Sequence, residues 1–460
     1  MGNLLNKANL RRLAACALWI GVWQAASLLL GSDLLLAGPL ATLKRLFAIL
    51  LDARFAGIVW FSFSRVAAGF LLAFVLGVTL GFLAHRFPVL RELLAPVVLS
   101  FKSIPVACIV VLLLIWVGSR QVSGICVFLM AFPALYLSMV EALGQVDVRV
   151  SQMLEVFDVP AARRLLAHVW PSVLPYLMAT SRNACGMAWK AGVAAELIGS
   201  PTGSIGERIY QAKILLETAD LFAWTVIIVA ISYACEQDFL WLLQATGPLS
   251  VRLSVPSAPA GTISSKAVTP ADITLVDVVL GHEGTPLGTD VHLSLGRGER
   301  GVLADESGAG KTTLLHTVAG LLPPLSGSVA VPRPLSMVFQ ETRLVEALSA
   351  EENVRLVGAG SLSPDQVREL LLEILPEEAL SRPVRELSGG QRRRVEIARA
   401  MAHPSSVVLL DEPFSSLDEE NHRVVAAFVI QHLAGRTLLV ASHAPEDSML
   451  LDAQLIDALH

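Results

Sequence analysis

The chain has 460 residues, of which 54% are hydrophobic and only 16% charged, and its mean hydropathy is +0.61. Soluble domains carry about 25% charged residues and disordered chains more, so a wholly soluble protein and a disordered one are both excluded. Residues 1–250 hold 18 Lys/Arg against 13 Asp/Glu, and residues 251–460 hold 17 against 27. A sparsely charged membrane half is thus joined to an acidic soluble half, and that acidity gives no reason to expect nucleic acid as a partner. The five cysteines, Cys16, Cys108, Cys126, Cys185 and Cys235, lie scattered in apolar segments. They form no metal or disulfide pattern and read as small buried hydrophobes.

A bilayer-spanning helix needs about 20 mostly apolar residues. Six runs meet that length, at about 12–31, 59–84, 93–118, 121–143, 171–199 and 220–245. Lys7, Arg11 and Arg12 precede the first, whose length and following spans predict an uncleaved anchor rather than a signal peptide. Residues 39–55, with Lys44, Arg45, Asp52 and Arg54 among leucines, predict an amphipathic interfacial helix. Basic residues before the first span, His85, Arg86 and Arg91 after the second, and Arg149, Arg163 and Arg164 after the fourth share one side. Arg120, Arg208 and Lys213 fall on the other. The positive-inside rule with six spans therefore places both termini and the soluble half in the cytoplasm.

Pro105, inside the third run, is expected to kink it. The fifth run carries Arg182, Lys190 and Glu196, each costing about 2.5–3.5 kcal/mol at the bilayer centre on insertion scales. Two readings stand. Arg182 and Glu196 sit near the ends and snorkel, or Lys190, with Trp189 and Glu196, faces a substrate path or a helix partner. On the second reading Lys190 points to an anionic solute.

The loop at about 144–170 runs from Gln152 to Phe157, through Asp158-Val159-Pro160, and along a helical stretch to Trp170-Pro171. It resembles the coupling loop of type I ABC importer permeases, a short helix pair that docks on the ATPase. Where that family has Glu-Ala-Ala, Gly and Leu-Pro, this chain has Gln152-Met153-Leu154, Asp158 and Trp170-Pro171. The resemblance makes Phe157, Asp158 and Pro171 coupling-loop residues. Ser64-Arg65, Gly69-Phe70, Ile104-Pro105, Trp116-Val117-Gly118, Phe132-Pro133 and Ala195-Glu196 extend it, across about 60–245, to the nitrate/sulfonate/taurine branch. Residues 247–272, rich in Ser, Pro, Ala, Gly and Thr, read as a flexible linker.

Beyond the linker, short apolar runs alternate with helical stretches, which predicts an α/β domain. Gly301-Val302-Leu303 leads into Ser307-Gly308-Ala309-Gly310-Lys311-Thr312-Thr313: strand, glycine loop, helix. Backbone N–H groups of such a loop face phosphates, Lys311 reaches the β- and γ-phosphates, and the Thr312 hydroxyl ligates Mg²⁺. The first glycine of the strict pattern is Asp305, followed by Glu306. A carboxylate about 7 Å from a phosphate charge, at an effective dielectric of about 20, costs about 2.4 kcal/mol, so either group facing the nucleotide weakens its binding. No aromatic residue lies between Trp241 and Phe339, which leaves His282 as a weak stand-in for the adenine-stacking side chain.

Gln340, then Leu387-Ser388-Gly389-Gly390-Gln391, then Val407-Val408-Leu409-Leu410-Asp411-Glu412, then Ser415-Ser416-Leu417-Asp418, then Leu438 to His443 complete an ordered set. Residues 273–455 thereby resemble an ABC-type ATPase. The resemblance implies that Asp411 holds Mg²⁺ through water, that Glu412 is the general base, and that His443 contacts the γ-phosphate. It implies that Gln340 ligates Mg²⁺ and senses the coupling loop, that Ser388, Gly389 and Gly390 donate to a γ-phosphate bound by the opposite subunit's glycine loop, and that Gln391 and Asp418 are ATP-binding. One chain holds one glycine loop and one signature, so the economical assembly is a homodimer.

The expected molecule is multi-domain: an all-α six-span transmembrane permease at 1–246, a linker at 247–272, and an α/β P-loop ABC ATPase at 273–460. Its expected function is that of an ATP-driven importer half-transporter in the bacterial inner membrane, using ATP and Mg²⁺ and fed by a separate extracytoplasmic solute-binding protein. Two alternatives are an ATP-binding membrane protein with weak or no turnover, motivated by Asp305 and Glu306, and an exporter. The loops are short for an exporter, whose coupling regions are long cytoplasmic helix extensions.

Overall fold

The computed structural model describes residues 2–32, 34–256, 269–282, 285–287, 290–304, 310–358, 362–415 and 417–457. It has two compact units, Met1–Gln145 with Val173–Thr246, and Val146–Ser172 with Gly247–His460.

The first unit is helical: α1 (Gly2–Leu30), α2 (Pro39–Leu50), α3 (Phe55–Arg86), α4 (Pro88–Ser103), α5 (Val106–Val117) and α6 (Ser119–Gly144). After α7 (Val148–Val156) and α8 (Ala161–Arg164), which belong to the second unit, come α9 (Trp170–Gly199), α10 (Ile205–Ile214) and α11 (Thr218–Ser254). Among the described residues α1, α3, α6 and α11 are long and apolar enough to cross a membrane. The pair α4–α5 passes together but is bent by 104°, making a fifth span if counted as one.

Two of the six expected spans come out differently. Pro105 does not kink a continuous helix: α4 stops at Ser103, and Pro105, at φ −62° and without an N–H, caps the start of α5. Helix α9 has the length of a span, but Arg182, Asn183, Lys190 and Glu196 lower its hydropathy, and it is not among the apolar spans. Two of its polar groups, Ser181 and Glu196, are buried within the unit, and Arg182, Asn183 and Lys190 are exposed.

The closest packing is between α3 and α6. A Cβ on Gly69 would stand 2.2 Å from the Gly124 carbonyl oxygen, and one on Gly81 2.7 Å from Met139 Cβ. Small residues are what let helix backbones approach in lipid, where no hydrophobic force drives them together. Helix α2 forms where an interfacial helix is expected, and its Arg45 pairs with Asp220 of α11. Helix α11 runs on to Ser254, so residues 247–254 are helical rather than flexible linker, and residues 257–268 lie outside the described set.

The second unit continues with β1 (Ile273–Val279), β2 (Gly281–His282), β3 (Thr285–Pro286), β4 (Val291–Leu295), β5 (Arg300–Leu303), α12 (Lys311–Val318), β6 (Ser326–Ala330) and β7 (Leu335–Val338). Then follow α13 (Ala350–Val357), α14 (Pro364–Leu372), α15 (Glu377–Leu380), α16 (Gly389–Ala402), β8 (Val407–Asp411), α17 (Glu419–Leu433), β9 (Thr437–Ala441), α18 (Asp447–Leu450) and β10 (Gln454–Ile456). A parallel five-stranded sheet has the order β10-β5-β9-β8-β7, and an antiparallel one the order β4-β1-β6. Strands β7, β8 and β9 are buried along their whole length, which is why β8 and β9 carry the apolar runs Val407–Leu410 and Leu438–Ala441 rather than an alternation.

Candidate functional site

Parallel strands present their carboxyl ends at one edge of the sheet, and the loops leaving them make the usual binding crevice. Leu303 of β5 and Asp411 of β8 both lie level with Ala441 of β9. The segments that follow these three strands therefore meet. Lys311 opens α12 behind Gly310, whose φ of +102° suits glycine. Its Nζ donates to the Ser442 carbonyl at 3.2 Å and lies 3.1 Å from His443 Nδ1. His443 Nε2 lies 3.2 Å from Glu412 Oε1, so Lys311, His443 and Glu412 form one row.

Behind that row the Thr312 hydroxyl donates to Asp411 Oδ1 at 3.2 Å. Asp411 is fully buried and its Oδ2 has no hydrogen-bond partner. Burial pushes its carboxyl up to about 6 against the Thr312 hydroxyl. Glu412 is also raised by burial, opposed by His443 and Lys311. Glu412 adopts φ +48°, a left-handed conformation rare for a non-glycine residue, and its N–H donates to the Ala441 carbonyl at 2.9 Å. An orphaned buried carboxylate oxygen beside a hydroxyl fits a hard divalent cation, which takes oxygen ligands. Among the described residues no group of three His, Cys, Asp or Glu side chains could hold a metal; such a cation would need phosphate or water oxygens as well.

The other expected site residues lie elsewhere in the unit. Ser388 caps α16: its Oγ accepts the Gln391 N–H at 3.3 Å and its own N–H donates to Gln391 Oε1 at 3.0 Å. Gly389 and Gly390 form the first turn, with Gly389 exposed. Asp418 caps α17, and the Asn421 backbone and side-chain donors hold its carboxyl below the usual range. Among the described residues no hydrogen bond links Ser388, Gln391 or Asp418 to the Lys311–His443–Glu412 row. Gln340 is exposed after β7, and the Thr313 carbonyl accepts the Thr317 hydroxyl within α12. Ser307, Gly308 and Ala309, the acidic pair Asp305–Glu306, and the His282 side chain lie outside the described residues.

Residues 146–172 pack within the second unit. Asp158 takes φ +51° and pairs with Arg333 at 3.2 Å. Phe157 is buried, edge-on to the His403 ring at 5.2 Å, with the Arg399 guanidinium 5.0 Å from its centroid. Arg149 pairs with Glu341, and Arg343 Nη1 donates to Gln152 Oε1 at 3.1 Å. Pro171 lies in the first turn of α9, which follows α8 through a π turn at Leu165–Val169. Sequence reasoning missed Arg343, Arg393, Glu396 and Arg399, all buried around this segment. The available signal was a glutamate standing among Val395, Ile397 and Ala398 on a helix.

In the membrane unit Trp189 and Glu196 are buried, and Lys190 is exposed. Glu196 Oε2 accepts the Ser62 hydroxyl at 2.7 Å and the Gly206 N–H at 3.3 Å, and Ser62 Oγ accepts the Ile205 N–H at 3.0 Å. Glu196 thus ties the start of α10 to α3 rather than snorkelling. Arg182 lies 3.6 Å from Glu236 of α11.

Residues 289–415 match the family model of the ABC transporter ATPase, and residues 69–235 match that of the binding-protein-dependent transport system inner membrane component. The chain therefore belongs to the ABC transporter family. More particularly, it is an importer of type I in which the permease and its ATPase are fused, and ATP hydrolysis by the second unit is coupled to transport. It is 35% identical over 204 residues to the thiamine import ATP-binding protein ThiQ of Brucella abortus biovar 1 (strain 9-941), a match spanning 40% of this chain and 84% of that one. The corresponding protein of Salmonella typhimurium (strain LT2) is 37% identical over 174 residues, 34% of this chain and 74% of that one. Among solved structures, the dimeric MJ0796, a bacterial ABC transporter cassette, is 23% identical with a TM-score of 0.37, covering 41% of this chain and 99% of that one.

Proposed function

We propose that two copies of this chain form an ATP-driven importer that moves a small solute across a bacterial inner membrane. A separate extracytoplasmic binding protein delivers the solute, and the ATPase units and both termini face the cytoplasm. The observation that carries the reading is the row Lys311–His443–Glu412 at the ends of β5, β9 and β8, in the same unit as residues 146–172.

In this reading Lys311 binds the β- and γ-phosphates, and Glu412 accepts the proton of the attacking water as it adds to the γ-phosphorus and the bond to the ADP oxygen breaks. His443, held between Lys311 and Glu412, orients that water. Thr312 and Asp411 would hold Mg²⁺, with Gln340 as a further ligand; bound there, the ion neutralises phosphate charge. Ser388, Gly389 and Gly390 of the second copy donate to the γ-phosphate from the N-terminus of α16. The ThiQ relatives are ATP-binding proteins, and their solute does not transfer to this permease. Lys190 is exposed on a single copy, as a residue lining a path between two copies would be, and the small solute we propose is anionic.

Phosphate release by the full chain in proteoliposomes, with wild type set against Glu412→Gln, tests this. Loss of a positioned general base is expected to lower kcat at least about 100-fold, with ATP still bound. Equal rates would leave the importer without its motor and favour the ATP-binding protein without turnover.

A further inference from the structure

Helix α16, which opens with the signature, also carries Arg393, Glu396 and Arg399, three residues apart and all buried. That spacing puts them along one helix face. Glu396 is their centre. Its Oε1 accepts the backbone N–H of Arg343 at 2.6 Å and its Oε2 accepts Arg393 Nη1 at 3.2 Å, while Arg399 Nη2 lies 3.9 Å from Oε1.

In one direction Arg393 donates to the carbonyls of Phe339 at 2.5 Å, Gln340 at 2.6 Å and Glu412 at 3.3 Å. In the other, Arg399 donates to the Arg343 carbonyl at 2.7 Å, and the Arg343 guanidinium, 3.9 Å from the Phe339 centroid, reaches Gln152 Oε1 in α7. A continuous row of hydrogen bonds therefore runs from the coupling segment through Arg343, Glu396 and Arg393 to the backbone of Glu412. Burying ions this way is a poor route to stability, since well-packed apolar residues in their place are often neutral or better. A backbone held at positive φ, as at Glu412, persists only when its surroundings over-determine it. The Glu412 carbonyl accepts Arg393 together with the N–H and hydroxyl of Ser415, and its N–H donates to Ala441; Arg393 is the one of these contacts that leads on to Glu396.

We propose that Glu396 is a positioning residue for ATP hydrolysis. It locks Arg343 and Arg393 into one unit, so a shift of α7 at Gln152 is passed to the backbone that aims the Glu412 carboxylate. This rests on Glu412 being the general base.

The test measures kcat and KM for ATP on the full chain in nanodiscs for Glu396→Gln, Gln152→Ala and the double variant. Glu396→Gln lowers kcat at least about tenfold with KM within about twofold, because Lys311 and Thr312 lie outside the hydrogen bonds that run from Gln152 to the Glu412 carbonyl. Gln152→Ala lowers kcat about threefold in the wild-type background and not at all once Glu396 is replaced, as coupled members of one network behave. Glu396→Asp, which keeps the charge, recovers part of the lost kcat. Multiplicative single effects, or an Asp variant as slow as the Gln variant at equal melting temperature, would overturn the proposal. Glu412→Gln is measured alongside: wild-type turnover there removes the base assignment itself, whereas a dead Glu412→Gln with multiplicative effects removes only the role of Glu396.

Discussion

Glu412 and Asp411 are neighbours with different surroundings, and the difference comes from where β8 ends. Asp411 is the last strand residue and is sealed in, whereas Glu412 turns out at φ +48° to meet His443. Their identity was legible in sequence because an apolar strand ending in two carboxylates is a local pattern. The partners of Glu396 were not, because Arg343 is 53 residues away along the chain and only tertiary packing joins them. Asp158 shows the opposite case: its left-handed φ stands where the family pattern has glycine, so the motif's backbone geometry survives the change of residue. His316 carries a test at this scale. Burial pushes its imidazole down to about 4, with Arg343 adding to the effect, and its ring lies edge-on to Phe339. Between pH 6.5 and 4 the unfolded chain therefore takes up a proton at His316 that the folded chain refuses, so stability falls as pH falls through that window. Calorimetry of the ATPase-unit transition is expected to show this decline, reduced in His316→Gln; an identical slope in the variant contradicts it.

At the level of elements, apolar run length located the long helices of the first unit, because it is a local property. It did not locate how each one is used. The run at 93–118 became two helices at 104° because Pro105 lacks the N–H that would continue the first. The run at 171–199 became one helix whose polar residues find partners inside the bundle, with Glu196 on Ser62 and Gly206 and Arg182 on Glu236. The linker's composition hid that α11 continues to Ser254, since Ser and Gly weaken a helix without forbidding it. The α3–α6 contact yields a sharp expectation. Gly69→Ala forces a methyl to within 2.2 Å of the Gly124 carbonyl oxygen, so the helices must part, at about 1–3 kcal/mol. Gly57→Ala, which meets nothing within 4 Å, is the control. Thermal unfolding in detergent is expected to drop for Gly69→Ala and not for Gly57→Ala; equal melting temperatures would show that the close approach is not needed.

At the scale of the whole molecule, the uneven charge of the sequence becomes a division of labour, with a helical permease in one unit and an α/β ATPase in the other. Residues 146–172 lie between membrane helices in sequence and belong to the ATPase unit in space. In the proposed pair, the signature of one copy closes the nucleotide site of the other. Mixing two disabled chains tests this most directly. Glu412→Gln keeps its signature and loses its base, and Ser388→Arg keeps its base and loses its signature. Each alone is expected to be inactive. Reconstituted together from unfolded or dissociated chains, they form mixed pairs in which one site has both intact halves, and phosphate release is expected to return to about a quarter of the wild-type rate for independently acting sites. A mixture that stays as inactive as its components, with mixed pairs demonstrated, would contradict a site shared between two copies.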